Sequence, residues 1–326
     1  YVWAFGSRGR VLAALGRDEE ALADFARALE LDPEYAWVFA SRGQFLVDTG
    51  RHEEAMADFA RALELDPEYA WTLGARASAR MEMRRYEEAL ADLDRALEVK
   101  PDYAWGLGSR GRLLNILGRQ EEALADYGRA LDLNPEYAQV ICYRGYALTM
   151  LGRPEQALAD FERAIALDPR DTAWMYGGRG TALIRTGRPE EALADFERAV
   201  ELAPDEADHR CDKALALRTL GLPGGEACLA RAVELAGLQV GAPNRLRSMG
   251  NLGVLVRAYA AMPNREEAER VLAEFLDAAP PPGVLTELRL ALADLARAVP
   301  ESARTVAALQ ERLPVRPGGG GPDAAR

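Results

Sequence analysis

The sequence predicts an all-α protein made of antiparallel helix pairs in tandem, and two observations support this prediction. A pattern of 34 residues recurs along about two-thirds of the chain, with one inserted residue before its last copy. Inside each copy, apolar residues recur at three- and four-residue spacing in two blocks, as they do along one face of a helix. A fixed repeat of this length indicates stacked similar units rather than a single globular core. The six copies are Val2–Tyr35, Ala36–Tyr69, Ala70–Tyr103, Ala104–Tyr137, Ala138–Asp171 and Ala173–Glu206.

The second copy shows where its two helices, here named helix A and helix B, begin and end. Thr49-Gly50-Arg51 separates the two apolar blocks, so we expect a short turn there. Asp66-Pro67 ends helix B, because proline cannot continue a helix but starts the next one well. The same punctuation recurs at Asp32-Pro33, Lys100-Pro101, Asn134-Pro135, Asp168-Pro169 and Ala203-Pro204.

After Glu206 the repeat loosens, although helical patterns continue. We therefore predict six regular units over residues 1–206, two divergent helical pairs over 207–279, capping helices over 280–313 and a disordered Pro- and Gly-rich tail over 314–326. The helices expected beyond the regular units are Asp208–Leu220, Gly225–Ala236, Leu246–Met262, Arg265–Ala278, Val284–Ala298 and Ser302–Leu313.

The composition narrows the classes of partner. The formal net charge of −12 and the sequence pI of about 4.9 argue against broad binding to nucleic acid or to an anionic membrane. No apolar run approaches the ~18 residues that span a bilayer. Three cysteines without paired spacing favour a reducing, cytoplasmic compartment, and two histidines are too few for a His-rich metal site. The chain begins at Tyr1 rather than Met, so we expect further repeats or another domain before it.

The residues that recur at fixed positions carry a family resemblance. The pattern resembles the tetratricopeptide repeat (TPR), with a large apolar residue at position 4, Gly at 8, Ala at 20 and 27, a large apolar residue at 24 and Pro at 32. The third copy departs from it at Ala77, Arg80 and Arg84. The resemblance implies a right-handed superhelical solenoid whose concave groove binds a peptide or a helix of a partner protein. In the second copy the signature residues are Phe39, Gly43, Ala55, Phe59, Ala62 and Pro67.

Two charged positions recur without exception in the six copies. Position 7 lies on the apolar stripe of helix A and is always arginine, and position 23 in helix B is always aspartate. A charge within an apolar stripe needs a partner, so we predict a half-buried structural Arg–Asp pair in every copy. The arginines are Arg8, Arg42, Arg76, Arg110, Arg144 and Arg179. The aspartates are Asp24, Asp58, Asp92, Asp126, Asp160 and Asp195.

The opposite stripe of helix A faces the groove that the resemblance implies. All five tryptophans of the chain lie on it at position 2, and large aromatic residues concentrate binding energy at interfaces. Each Trp could instead pack over the small residue at position 5 of a neighbouring copy, and the two interpretations can coexist. The predicted partner-binding residues are Trp3, Trp37, Trp71, Trp105, Trp174, Arg10, Gln44, Asp48, Glu82, Arg112, Tyr143, Tyr146 and Arg185.

The sequence lacks motifs that mark catalytic sites, and it lacks the peptide-binding motif of one group of family members. We find no phosphate-binding glycine loop, no metal-ligand spacing and no nucleophile beside a histidine, so we predict no enzyme activity, no metal and no cofactor. Chaperone-binding members of the family hold a C-terminal carboxylate in a clamp that includes Lys and Asn at groove positions. In this sequence small residues or Trp occupy groove positions of that clamp, so it is not expected here. Recognition of single-stranded RNA, with one base bound at each tryptophan, is disfavoured by the acidic pI of the chain.

The sequence therefore predicts a protein–protein interaction scaffold. Near-identical Ala-, Arg- and Gly-rich copies are similar to the arrays of high-GC bacteria such as actinobacteria, where they often form the C-terminal sensing or recruiting part of a signalling or defence protein. The alternative is a structural module that associates with itself through the exposed face at residues 1–9.

Overall fold

The structure, a computed structural model, describes residues 1–168, 173–240, 245–262 and 264–314, with the side chains of 239 and 245–249 left out. Eighteen α-helices and no strand lie in these ranges, which confirms the all-α prediction. The predicted tail beyond Pro314 lies outside the described residues. The helices are α1 (Val2–Ala14), α2 (Asp18–Leu31), α3 (Ala36–Asp48), α4 (His52–Leu65), α5 (Ala70–Glu82), α6 (Tyr86–Val99), α7 (Ala104–Ile116), α8 (Gln120–Leu133), α9 (Ala138–Met150), α10 (Pro154–Leu167), α11 (Ala173–Arg185), α12 (Pro189–Leu202), α13 (Ala207–Thr219), α14 (Gly225–Gln239), α15 (Arg245–Ala261), α16 (Arg265–Asp277), α17 (Pro282–Ala298) and α18 (Ala303–Arg312).

The chain divides into two compact units. Unit 1 comprises Tyr1–Leu113 and Gly128–Asn134, and unit 2 comprises Leu114–Tyr127 and Pro135–Arg326. The predicted organisation into regular pairs, divergent pairs and capping helices is a finer division, and its boundary after Glu206 falls inside unit 2.

Helix A and helix B of each copy are joined by a turn that the sequence specifies. Gly50 has a φ of 76°, a left-handed conformation that glycine adopts without steric cost. This turn lets the amide of Arg51 donate to the carbonyl of Leu46 at 2.7 Å, so a carbonyl at the end of helix A is satisfied. The third copy has Arg84 at the equivalent turn with a φ of 61°, a conformation that costs a non-glycine residue about 1–2 kcal/mol.

The helix pair of the second copy is held together by a small core of alanines and one large ring. Phe59 is fully buried in helix B, and Gly43 faces it from helix A. A Cβ placed on Gly43 would lie 2.8 Å from the Phe59 ring, so only glycine allows the two helices to approach this closely. The repeated Gly at position 8 is therefore a packing requirement.

In the first, second, third, fifth and sixth copies the predicted arginine contacts the predicted aspartate of the same copy. Nε and Nη2 of each arginine donate to the two carboxylate oxygens of its aspartate at 2.5–2.9 Å. The aspartate side chains are only 6–9% exposed, whereas those of the arginines range from 20% to 64%. Several of these guanidinium groups also lie over the ring at position 4, as in Arg42 over Phe39 at 5.7 Å. The pairs are Arg8–Asp24, Arg42–Asp58, Arg76–Asp92, Arg144–Asp160 and Arg179–Asp195.

Arg110 of the fourth copy binds a carboxylate outside its own copy, and its predicted pairing with Asp126 stays a prediction. Arg110 donates from Nη1 to Asp94 at 2.8 Å, a carboxylate at position 25 of the preceding copy. Lys213, which replaces arginine in the seventh pair, likewise lies 3.0 Å from Glu197 at position 25 of the copy before it. Asp126 is buried like the other five aspartates.

The last six helices share one apolar core within unit 2. Buried side chains of α13–α16 pack together with Leu288, Leu292 and Leu295 of α17 and with Val306 and Leu309 of α18. The two C-terminal helices thus cover apolar surface of the pair before them. No helix in the described ranges combines the length and the apolar character that a bilayer crossing requires.

Candidate functional site

Unit 1 contains an open cavity of about 440 Å³, named here the N-terminal cavity, which some of the predicted groove residues line. Its walls come from α1, from α3, from two residues of α2 and from Trp71 at the start of α5. Four of the predicted partner-binding residues therefore line one space. The lining residues are Arg10, Ala13, Ala14, Asp18, Phe25, Ser41, Gln44, Phe45, Asp48, Thr49 and Trp71.

The polar groups of this cavity lie on its accessible wall. Arg10, Asp18 and Asp48 are exposed, and the amide nitrogen of Gln44 donates to Asp48 at 2.8 Å. The Arg10 guanidinium lies 5.8 Å from the ring centre of Trp37, within cation–π distance. The remaining lining consists of the hydroxyl residues Ser41 and Thr49 and of alanine and aromatic side chains, a composition suited to a ligand site with a few orienting polar groups.

Trp37 and Trp105 pack over a glycine of the preceding copy, as the packing interpretation proposes. A Cβ on Gly6 would lie 2.5 Å from the ring of Trp37, and a Cβ on Gly74 would overlap Trp105, so the ring of one copy lies over the glycine of the copy before it. Packing leaves ring surface accessible, since Trp71 is 38% and Trp105 37% exposed. Contact with a ligand remains a prediction. Trp3, on the first helix, is 61% exposed.

The other predicted groove residues of unit 1 lie apart from the N-terminal cavity. Glu82 has its carboxylate 3.6 Å from Nε2 of His52. Arg112 is exposed and reaches the sulfur of Met81 at 4.0 Å.

In unit 2 the predicted groove aromatics contact one another. Tyr146 stacks on Trp174 at 6.0 Å between ring centres, packs edge-on against Phe161 and donates its hydroxyl to the carbonyl of Trp174 at 2.6 Å. Tyr143 lies 5.5 Å from Trp174 and 6.3 Å from Tyr127. These side chains are therefore committed largely to packing.

The C-terminal helix α17 occupies the groove face of unit 2, which the sequence did not indicate. It contacts α9, α13 and α15. At its start a Cβ on Gly283 would overlap the carbonyl oxygen of Asn115, so this glycine allows α17 to touch the end of α7. Further along, Arg185 donates to Asp294 at 3.0 Å and to the carbonyl of Thr149 at 2.7 Å. The chain's own helix therefore binds Arg185, and contact of Arg185 with a partner protein stays a prediction.

A small cavity of about 120 Å³, named here the C-terminal cavity, remains between α17 and helices α9, α11, α13 and α15. Arg257 on its wall donates to both Asp208 and Asp212. Loss of hydration, with the nearby Asp208 carboxylate, raises the pKa of Glu287 to about 7. The sequence analysis missed these residues because α13, α15 and α17 carry no common repeat that aligns them.

Among the described residues no three potential metal ligands cluster. The three cysteines are free thiols, and burial raises the pKa of Cys142 and of Cys211, the latter to about 12, so these two remain protonated.

Comparison with family models identifies the repeats. Models described as "TPR repeat" match residues 9–46 and 111–152. Models described as "Tetratricopeptide repeat" match residues 46–110, 138–171 and 174–206. A comparison with curated proteins found no match.

Solved structures share the fold. A tetratricopeptide repeat protein from Parabacteroides merdae is 20% identical with a TM-score of 0.58, over 73% of this chain and 91% of that one. The pilF protein of Pseudomonas aeruginosa is 20% identical with a TM-score of 0.52, over 66% of this chain and 95% of that one. TTC0263 of Thermus thermophilus is 27% identical with a TM-score of 0.47, over 56% of this chain and 98% of that one.

Proposed function

Because this chain belongs to the tetratricopeptide repeat family, whose repeats bind proteins and peptides, we propose that it is a non-catalytic scaffold that captures a peptide, loop or helix of a partner. The observation that carries the proposal is the N-terminal cavity, where predicted groove residues from three helices line one accessible space. Its exposed tryptophan and its few polar groups supply the apolar contact and the orientation that peptide capture needs.

Unit 2 contributes less to partner binding in this proposal. Its groove face is covered by α17, which is fixed through the Arg185–Asp294 ion pair and through a core shared with α13–α16. The side chains of that pair are only 12% and 14% exposed. A partner would have to displace a well-packed helix there, so we assign capture to unit 1.

The proposal is tested by panning a random dodecapeptide library against the full chain. We expect recovered peptides to lose most of their affinity for the Trp71→Ala variant, because the ring forms one wall of the cavity. Ala14→Phe, which fills the cavity from an exposed position at the end of α1, should weaken the same peptides. Leu31→Ala serves as the matched control, since Leu31 is 45% exposed but does not line the cavity.

Circular dichroism of each variant checks that it is folded. Peptides that bind both cavity variants as tightly as the unaltered chain would contradict the assignment to the N-terminal cavity. A library that yields no peptide sensitive to Trp71 would contradict the scaffold proposal in this form.

Self-association is a second candidate, and one observation favours it. Apolar side chains on and beside α1 are unusually exposed, with Tyr1 at 94%, Trp3 at 61%, Val11 at 59% and Leu15 at 65%. Exposed apolar side chains that group together commonly mark an interaction surface. Light scattering decides the point, since a strictly monomeric chain at high concentration excludes this candidate.

The proposal extends to context only by family analogy. We propose that the array recruits a partner for a larger bacterial signalling or defence protein. The coding sequence upstream of Tyr1 tests this, because a nucleotide-switch or protease domain there would support it and an unrelated reading frame would contradict it.

A further inference from the structure

We propose that the N-terminal cavity selects a partner segment that presents arginine or lysine to Asp48 and Trp71. The inference rests on the proposed function, because it names the chemistry of the segment that the cavity captures. It is argued from the way α17 binds in unit 2, from the sign of the charge at one repeat position and from an accessible tryptophan.

Helix α17 shows how a segment in the groove reaches repeat position 13. Arg185 is at position 13 of the sixth copy and binds the carboxylate of Asp294 at 3.0 Å. The same guanidinium donates to a backbone carbonyl of α9, which fixes its direction. A segment lying on this face of helix A therefore offers position 13 a side chain of opposite charge.

In unit 1 the charge at position 13 is reversed. Asp48 and Glu82 hold this position in the second and third copies, and both are exposed. Asp48 lines the N-terminal cavity together with Asp18, while Arg10 is the single cation of the lining. At position 13, α17 meets the guanidinium of Arg185, whereas a segment bound in unit 1 would meet a carboxylate. The side chain that such a segment presents to this position should therefore be a cation.

The aromatic wall favours the same ligand. Arg10 already lies over the ring of Trp37, which shows that a tryptophan at position 2 accepts a guanidinium. Within the described part of the chain no cation is seen over the ring of Trp71, a residue that is 38% exposed and lines the same cavity as Asp18 and Asp48. The stem of an arginine or lysine can pack on this ring while its charged end reaches Asp48.

An acidic segment is disfavoured on the same grounds. It would place a further carboxylate beside Asp18 and Asp48 in a chain whose formal net charge is already −12. Like charges at close range oppose association, and the whole-chain charge slows the approach of an anionic partner.

The experiment uses the random dodecapeptide library on the full chain, with peptides that require Trp71 sequenced and resynthesised. We expect these peptides to be enriched in Arg and Lys and to bind the Asp48→Arg variant about tenfold more weakly, the scale of a close charge pair reversed at an accessible site. Glu34→Arg is the matched control, because it makes the same change of charge at an exposed turn residue that does not line the cavity.

The outcomes separate the two proposals. Peptides that require Trp71 but show no basic enrichment, or basic peptides that Asp48→Arg and Glu34→Arg weaken equally, overturn this inference and leave the scaffold standing. A library without any Trp71-dependent peptide overturns the scaffold proposal and this inference with it. Circular dichroism of the Asp48→Arg variant shows that it is folded before its affinities are compared.

Discussion

Replacing Asp92 with alanine should destabilise the chain more than the same change at Asp24, Asp58, Asp160 or Asp195. Asp92 accepts two hydrogen bonds from Arg76, at 2.9 and 2.6 Å, and one from Arg80 at 2.6 Å. Its side chain is 6% exposed, and those of the two arginines are 20% and 18% exposed. In the other observed pairs a single arginine binds the aspartate, so Asp92 neutralises twice the buried charge.

The magnitude follows from what alanine leaves behind. Removing one partner of a buried ion pair costs about 3–5 kcal/mol, because the remaining charge stays desolvated. Arg80 keeps a second carboxylate, Glu88, at 3.2 Å, which reduces the cost. We therefore expect the free energy of unfolding to fall by about 3 kcal/mol for Asp92→Ala. Asp24→Ala should cost clearly less, because Arg8 is 64% exposed and can be hydrated by water.

Urea unfolding followed by far-UV circular dichroism measures both losses, and hydrogen exchange localises them to α5 and α6 for Asp92→Ala. Equal losses at the two positions, or a larger loss at Asp24, would refute the reasoning that burial of the arginines sets the cost. An unchanged transition for Asp92→Ala would refute the structural role of the pairs altogether.

Three further predictions follow from single contacts. Gly74→Ala should lower the free energy of unfolding by about 1–3 kcal/mol, because the new Cβ would overlap the next copy's tryptophan. Gly128→Ala is the control and should be neutral or stabilising, because open space surrounds its new Cβ. Arg185→Ala should lower stability by about 3 kcal/mol and increase hydrogen exchange in α17, because it removes the more buried of the two arginines that bind Asp294. Arg297→Ala removes only the 70% exposed partner of that carboxylate and should change little. Glu287→Gln should raise the melting temperature at pH 8 and leave it unchanged at pH 4, measured by thermal unfolding at both values. The raised pKa of about 7 means that the folded state holds this proton, so ionisation above pH 7 costs stability that the glutamine retains.

Each of the three has a result that would count against it. Equal effects of the two glycine substitutions would remove the steric argument. Protection of α17 that survives Arg185→Ala would show that the ion pair does not hold this helix. If the melting temperatures of the glutamine variant and of the unaltered chain change in parallel from pH 4 to pH 8, the pKa of Glu287 in the folded chain does not lie near 7.

The family and the local architecture could be predicted from the sequence because their causes repeat. The glycine at position 8 is required by a ring at position 24 of the same copy, as Gly43 and Phe59 show, and the turn glycines are required by backbone conformation. The Arg–Asp pairs also lie within one copy, so their constant spacing of 16 residues was visible in the sequence. The contact of Arg110 with Asp94 was less predictable, since Asp94 belongs to the preceding copy.

The candidate site, too, was predictable from the sequence only in part. The sequence by itself determined which face of each helix A would carry the variable residues, and Arg10, Gln44, Asp48 and Trp71 do line one cavity. Only the tertiary structure decided that the equivalent face of unit 2 is covered, because α17 returns to contact residues more than a hundred positions earlier, as Asp294 does with Arg185. A repeat period records contacts between neighbouring copies, and it carries no information about a segment outside the period that packs across several of them.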